Sequence, residues 1–101
     1  MVKIIFSQHG ISELPPSDLL APGELAAVID DSPEIVLLLS HYLNRQGIEV
    51  VNGGSAKEFK QLLATKNIAL ALLDIGLPDQ DGNEILGEIV ESHPDLGIIM
   101  V

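Results

Sequence analysis

Three aspartates in this sequence stand where chemistry is possible. Asp30 and Asp31 follow the apolar run Leu25-Ala26-Ala27-Val28-Ile29, and Asp74 follows Ile68-Ala69-Leu70-Ala71-Leu72-Leu73. Runs of that length without polar alternation read as parallel strands covered on both faces. In an open α/β sheet, ligands bind in the crevice beyond the carboxyl ends of the strands, so carboxylates placed there are functional candidates. Neighbouring strands lie only ~4.8 Å apart, so the three carboxylates converge if the two strands are adjacent. Like charges that close raise one another's pKa unless a cation neutralises them. Hard oxygen donors of this kind suit Mg²⁺, which takes one or two carboxylates, keeps several waters and leaves positions for phosphate oxygens. Asp31 alone reads as a helix cap. Taken with Asp74 and the loop behind it, the metal reading prevails.

The elements that must position these groups alternate strictly. Ser32-Pro33-Glu34 opens a helix, with a capping residue ahead of Pro in the first turn and capping-box spacing from Asp31 to Glu34. Ile35, Leu38, Leu39, Tyr42 and Leu43 fall at helical spacing on one face, and Gly47 closes the helix as a left-handed cap. Ile48 to Val51 reads as the next strand and Asn52-Gly53-Gly54 as a turn, since the glycine pair lacks both dinucleotide and P-loop spacing. Ser55-Ala56-Lys57-Glu58 is a capping box, and Phe59, Leu62 and Leu63 stripe a helix that stops near Lys66-Asn67. Gly76, Pro78, Asp79, Asp81 and Gly82 supply turn chemistry after Asp74. A helix then runs from Asn83 to Ser92, and Gly97 to Val101 forms a fourth apolar strand. Such alternation implies right-handed crossovers and an open parallel sheet with helices on both faces.

Residues 1–24 do not resemble the rest. Val2 to Phe6 can form a short strand, whereas Ser12 to Asp18 and Ala21-Pro22-Gly23 read as extended linker, with one helical turn at Asp18 to Leu20. The expected organisation is therefore an N-terminal arm over 1–24 and one domain over 25–101.

Composition limits the function. The chain of 101 residues makes one domain whose core must be aliphatic, because aromatics are only 3%. With no cysteine, disulfides, thiolate metal sites and thiol nucleophiles drop out together. The formal charge of −10 repels nucleic acid and anionic lipid. Glu84, Glu88 and Glu91 read as a solvated acidic helix face. No run has the length of a bilayer span or the form of a signal peptide, which leads to the expectation of a soluble, cytoplasmic protein. His9, His41 and His93 lie in the arm, a helix and a helix end, and none is given a catalytic role.

The acidic pair after the first confident strand, together with Asp74-Ile75-Gly76-Leu77-Pro78-Asp79-Gln80-Asp81-Gly82, resembles the receiver domain of two-component response regulators over roughly Glu24 to Val101. The family's pattern is an aspartate after the third strand, a hydrophobic residue, any residue, Leu or Met, Pro, two residues, Asp or Asn, and Gly, and every position fits. The resemblance implies a flavodoxin-like receiver fold with strand order 2-1-3-4, counted from Leu25. It implies that Asp74 is the phosphoacceptor, that Asp30 and Asp31 hold or orient Mg²⁺ with Asp74, and that the backbone carbonyl of Gly76 is a further metal ligand. It also implies a signalling domain rather than an enzyme, with a sensor histidine kinase or a histidine phosphotransfer protein as donor.

One departure matters. Receivers have five βα units, with Ser or Thr ending the fourth strand and Lys ending the fifth. By that count the fifth βα unit is missing, and the sequence is expected to be a fragment whose last strand offers a free apolar edge. That edge is expected to be covered by a second copy in a homodimer or domain swap, by Val2 to Phe6, or by further chain. Two other readings compete. One is a receiver-like interaction or dimerisation module that never accepts phosphate. The other is a Mg²⁺-dependent phosphohydrolase, which usually carries a second aspartate two residues after the nucleophile; here that position is Gly76.

Overall fold

Leu25–Ile29, Ile68–Leu73 and Gly97–Met100 are apolar along their whole length, and the sheet packs a core on each side of them. In the computed structural model, which describes residues 3–6 and 20–100, the strands are β1 (Lys3–Phe6), β2 (Leu25–Ile29), β3 (Val50–Gly53), β4 (Ile68–Leu73) and β5 (Gly97–Met100). The helices are α1 (Pro33–Arg45), α2 (Ala56–Thr65) and α3 (Gly82–Ser92). All strands pair in parallel, in the order β1-β5-β4-β2-β3. Counted from Leu25, this is the expected order 2-1-3-4.

Successive strand residues point to opposite faces, and the two cores divide accordingly. Ala27, Ile29, Ala71, Leu73, Ile98 and Met100 face α2 and α3, where Phe59, Ile85 and Ile89 cover them. Ala26, Val28, Leu70, Leu72 and Ile99 face the other way, with Leu43 and Ile48 buried among them and Val36, Leu39 and Tyr42 packed alongside. This division follows from right-handed crossovers. The step from β2 to β3 runs in one direction along the sheet, and the steps from β3 to β4 and β4 to β5 run in the other.

Three local expectations are corrected. The buried face of α1 contains Val36 rather than Ile35 and Leu38, which are 37% and 63% exposed. Residues 35–39 are all apolar, so spacing alone does not set the rotation of the helix; contact with the sheet does. The third strand begins at Val50 rather than Ile48, and Asn52 and Gly53 pair with Val28 and Ile29 instead of turning. Ile48 instead completes the end of α1: its N–H donates to the Leu43 carbonyl at 3.1 Å, and the Gly47 N–H donates to Asn44 at 3.0 Å. With Gly47 at φ +80°, this is a Schellman cap, and the predicted left-handed glycine is in place. At the other end of α1 the N-cap residue is Ser32, whose side chain makes no capping bond, so the Asp31–Glu34 box does not form.

Ala21 to Glu24 form a tight turn, with the Glu24 N–H on the Ala21 carbonyl at 3.1 Å and Gly23 at φ +86°. Pro22 followed by a positive-φ glycine is the type II arrangement. The linker over Ser12 to Asp18, His9 and the end of the last strand at Val101 lie outside the described residues, and Leu20 is not helical. The expected free edge of β5 is paired by β1 in parallel register, from Lys3 opposite Gly97 to Phe6 opposite Met100.

Candidate functional site

The carboxyl edge of the sheet is assembled by main-chain bonds before any side chain acts. Asp74 donates its N–H to the Ile29 carbonyl at 2.9 Å, and Asp30 donates to Gly53 at 3.0 Å. β2 and β4 are adjacent, as the convergence argument required, and Asp30, Asp31 and Asp74 each bring a carboxylate oxygen within 4.8 Å of the others. Asp30 and Asp74 are half-buried and Asp31 is exposed.

The Asp30 carboxyl sits above the ordinary range, first because burial disfavours its charge. The Ser32 N–H, 2.8 Å from Asp30 Oδ1, opposes that rise, and the negative Asp74 and Asp31 add to it. Asp74 Oδ1 accepts the Gly76 N–H at 3.1 Å, which sets the orientation of the carboxylate. These groups fit a hard divalent cation: the donors are all oxygen, they already lie close together, and the half-buried Asp30 carries a charge its surroundings penalise.

The loop after β4 is held at several points. Leu77 is buried in the core under α2 and α3. The Asp79 carboxylate accepts two main-chain N–H groups from the first turn of α2, Ala56 at 2.8 Å and Lys57 at 3.1 Å. Asp81 caps α3 through the Asn83 N–H at 2.7 Å. The Gly82 N–H returns to the Ile75 carbonyl at 2.8 Å, and a Cβ at Gly82 would lie 2.6 Å from the Ile75 Cα. Only glycine allows α3 to start this close to the loop. At Gly76, by contrast, a Cβ would meet nothing nearer than Asp74 Oδ1 at 4.0 Å.

Sequence reasoning assigned Asp79 only to a turn and so missed its bond to α2. The partner lies more than twenty residues away in sequence, and no local spacing signals it. It also missed a bridge between helices: Lys60 pairs with Glu88 at 2.8 Å, and Gln80 bonds both of them. Glu88 is therefore solvent-exposed but partnered, and the Lys60 bond, followed by that of Gln80, holds its carboxyl below the usual range. Ser55 behaves as expected and takes the Glu58 N–H at 3.1 Å. His41 is exposed on α1, and His93 ends α3 beside Ser92 Oγ, both away from the three carboxylates in the fold.

Comparison with known proteins agrees with this geometry. Residues 26–101 match the family model of the response regulator receiver domain. The chain is 40% identical over 81 residues to the transcriptional regulatory protein GltR of Pseudomonas aeruginosa, covering 80% of this chain and 33% of that protein. It is 33% identical over 76 residues to the response regulator protein PilR of the same species, covering 75% and 17%. The chain thus spans a third or less of the length of these curated relatives. Among solved structures, a response regulator receiver protein from Pseudomonas putida superposes with a TM-score of 0.73 at 30% identity, covering 81% of this chain and 69% of that one. The response regulator TrrA of Thermotoga maritima, in complex with Mg²⁺ and BeF, gives 0.72 at 32%, covering 76% and 67%. With the aspartate cluster at the carboxyl edge and the match over residues 26–101, this chain belongs to the response regulator receiver family of two-component systems.

Proposed function

We propose that the chain accepts a phosphoryl group on Asp74 from the phosphohistidine of a sensor histidine kinase or a histidine phosphotransfer protein, with Mg²⁺ held by Asp30, Asp31, Asp74 and the Gly76 carbonyl. The observation that carries this reading is the convergence of three carboxylates within 4.8 Å at the ends of adjacent parallel strands. The Mg²⁺ and BeF bound by the Thermotoga relative support it.

A carboxylate is a weak nucleophile towards phosphorus, so the rate must come from positioning and charge neutralisation. An oxygen of Asp74 attacks phosphorus as the phosphorus–nitrogen bond to the donor imidazole breaks. The electron pair returns to the ring nitrogen, which takes up a proton, and an acyl phosphate remains on Asp74. Bound Mg²⁺ would neutralise charge on the phosphoryl oxygens. The chain's own part is positional: the Gly76 N–H holds Asp74 Oδ1, and the main-chain bond to Ile29 holds Asp74 beside Asp30. Gly76 has no side chain to screen the acyl phosphate from water.

Leu37 and Leu38 of α1 and Ile75 beside Asp74 are 72%, 63% and 44% exposed, which gives the donor protein apolar surface to dock on near the acidic pocket. Residues 25–101 form the receiver unit in this reading, and residues 1–24 form an arm whose first strand closes the sheet. Phosphorelay chemistry of this kind belongs in the cytoplasm; among the described residues no helix is long and apolar enough to cross a membrane. The test is titration with Mg²⁺ and beryllium fluoride, followed by labelling with acetyl phosphate. Labelling that depends on Mg²⁺ and on Asp74 supports a phosphoacceptor. No labelling at any Mg²⁺ concentration would favour the interaction module.

A further inference from the structure

We propose that Asp79 is a positioning residue for the metal site: its carboxylate ties the loop after β4 to α2 and so fixes where that loop presents the Gly76 backbone. This rests on the reading of the pocket as a Mg²⁺ site. The first turn of a helix leaves main-chain N–H groups without helical partners. In α2 the first is Ala56, the second Lys57 and the third Glu58, and Ser55 Oγ satisfies only Glu58. Asp79 takes the other two, one with each oxygen, at 2.8 and 3.1 Å. Its negative charge also lies at the positive end of the helix dipole, and the Ala56 bond above all holds the carboxyl below its usual range.

The consequence lies three residues back in the chain. Between Asp74 and Gly82 the loop is anchored inward by Leu77, laterally by Asp79, and at its base by the Gly82 N–H on the Ile75 carbonyl. Gly76 is exposed, and its own contact is the bond from its N–H to Asp74. The direction of its carbonyl is therefore inherited from these anchors. Mg²⁺ demands near-ideal octahedral geometry, so a loop that is free to tilt loses affinity even with every ligand present. Gln80 supports the same loop through exposed Lys60 and Glu88 side chains. Asp79 reaches main chain directly and orders only one short side chain, which makes it the stiffer link.

The experiment compares the whole chain with Asp79→Ala and Asp79→Asn, reading amide hydrogen exchange by NMR and Mg²⁺ affinity by titration well below the melting temperature. Ile48→Val, at the opposite end of the sheet, serves as a control for destabilisation alone. Asp79→Ala is expected to speed exchange at Ala56, Lys57 and Gly82 and to weaken Mg²⁺ about tenfold, the scale of a lost supporting contact around a metal. Asp79→Asn keeps one acceptor for Ala56 and falls between. Ile48→Val is expected to leave Mg²⁺ affinity at the parental value. Unchanged exchange at Gly82 in Asp79→Ala would overturn the tether. Faster exchange with parental Mg²⁺ affinity would reduce Asp79 to a helix cap and overturn its positioning role. A parent chain that binds no Mg²⁺ would sink the metal reading and the positioning role with it, while exchange at Gly82 would still decide whether the tether exists.

Discussion

The main-chain N–H of Asp74 donates to the carbonyl of Ile29 at 2.9 Å, which locks the residue after β4 beside the residue before Asp30. Sheet register thus brings the acidic residues to one level, and the bonds from Ser32 to Asp30 and from Gly76 to Asp74 then orient their carboxylates. Leu73 lies opposite Ile29, and the chains leave both strands at the same level. A slip of one residue would turn the apolar residues of β4 to the opposite faces and carry Asp74 out of reach of Asp30.

Asp74→Asn removes one negative ligand from a site whose affinity depends on ligand charge. The parent chain is expected to bind Mg²⁺ and to label with acetyl phosphate. The variant should bind Mg²⁺ about tenfold more weakly or worse and should not label. Mg²⁺ titration and intact mass after labelling check both. A variant that binds and labels like the parent refutes Asp74 as the acceptor.

Asp30 gives a pH dependence of definite sign in the metal-free protein. Its folded pKa is raised above the unfolded value, so between the two the folded state holds more protons than the unfolded state. Its contribution is therefore full below the unfolded pKa and is lost as pH rises through the raised folded pKa. Asp30→Asn should remove this component of the slope and slightly raise metal-free stability at neutral pH, while weakening Mg²⁺ binding. Thermal melts from acid to neutral pH, with and without Mg²⁺, test the two effects. If the variant is less stable than the parent at neutral pH without metal, burial and like charge do not dominate at Asp30.

Gly82→Ala should be costly and Gly76→Ala mild in stability. A Cβ at Gly82 would lie 2.6 Å from the Ile75 Cα, 3.0 Å from the Ile75 carbonyl oxygen and 3.1 Å from that of Asp74, all main-chain atoms that cannot step aside alone. The expected loss is about 1–3 kcal/mol, the usual scale of overpacking. Urea denaturation of the two variants compares them directly, and equal midpoints would refute the close approach.

Residues 1–6 should matter for assembly. β1 pairs with β5 along Gly97–Met100, whose residues are all buried. A chain lacking residues 1–6 exposes an apolar strand edge, which recruits partners. Sedimentation should show concentration-dependent association in the shortened chain and less in the parent. A shortened chain that stays monomeric at high concentration argues against both that role and strand exchange between copies.

The amino-acid sequence by itself determined the two central strands, their acidic ends and the caps at Gly47 and Ser55, because each depends on neighbours in the chain. Leu25–Ile29 and Ile68–Leu73 are apolar throughout and can only be interior strands, and their following aspartates must then share one edge. Gly47 adopts the left-handed conformation its place after a helix implied, and Ser55 caps α2 as its spacing with Glu58 implied. Tertiary structure decided what local pattern leaves degenerate. Apolar residues at every position from 35 to 39 allow α1 more than one buried face, and only the sheet beneath selects Val36 over Leu38. β3 runs on through Asn52 and Gly53 because it follows the register of β2, against the turn preference of those residues. The reach of Asp79 to α2 and the pairing of Lys3–Phe6 with β5 join segments far apart in sequence. No local spacing signals the Asp79 contact, and the sequence offered Val2 to Phe6 only as one of three covers for the edge; the packing of the folded chain selects it.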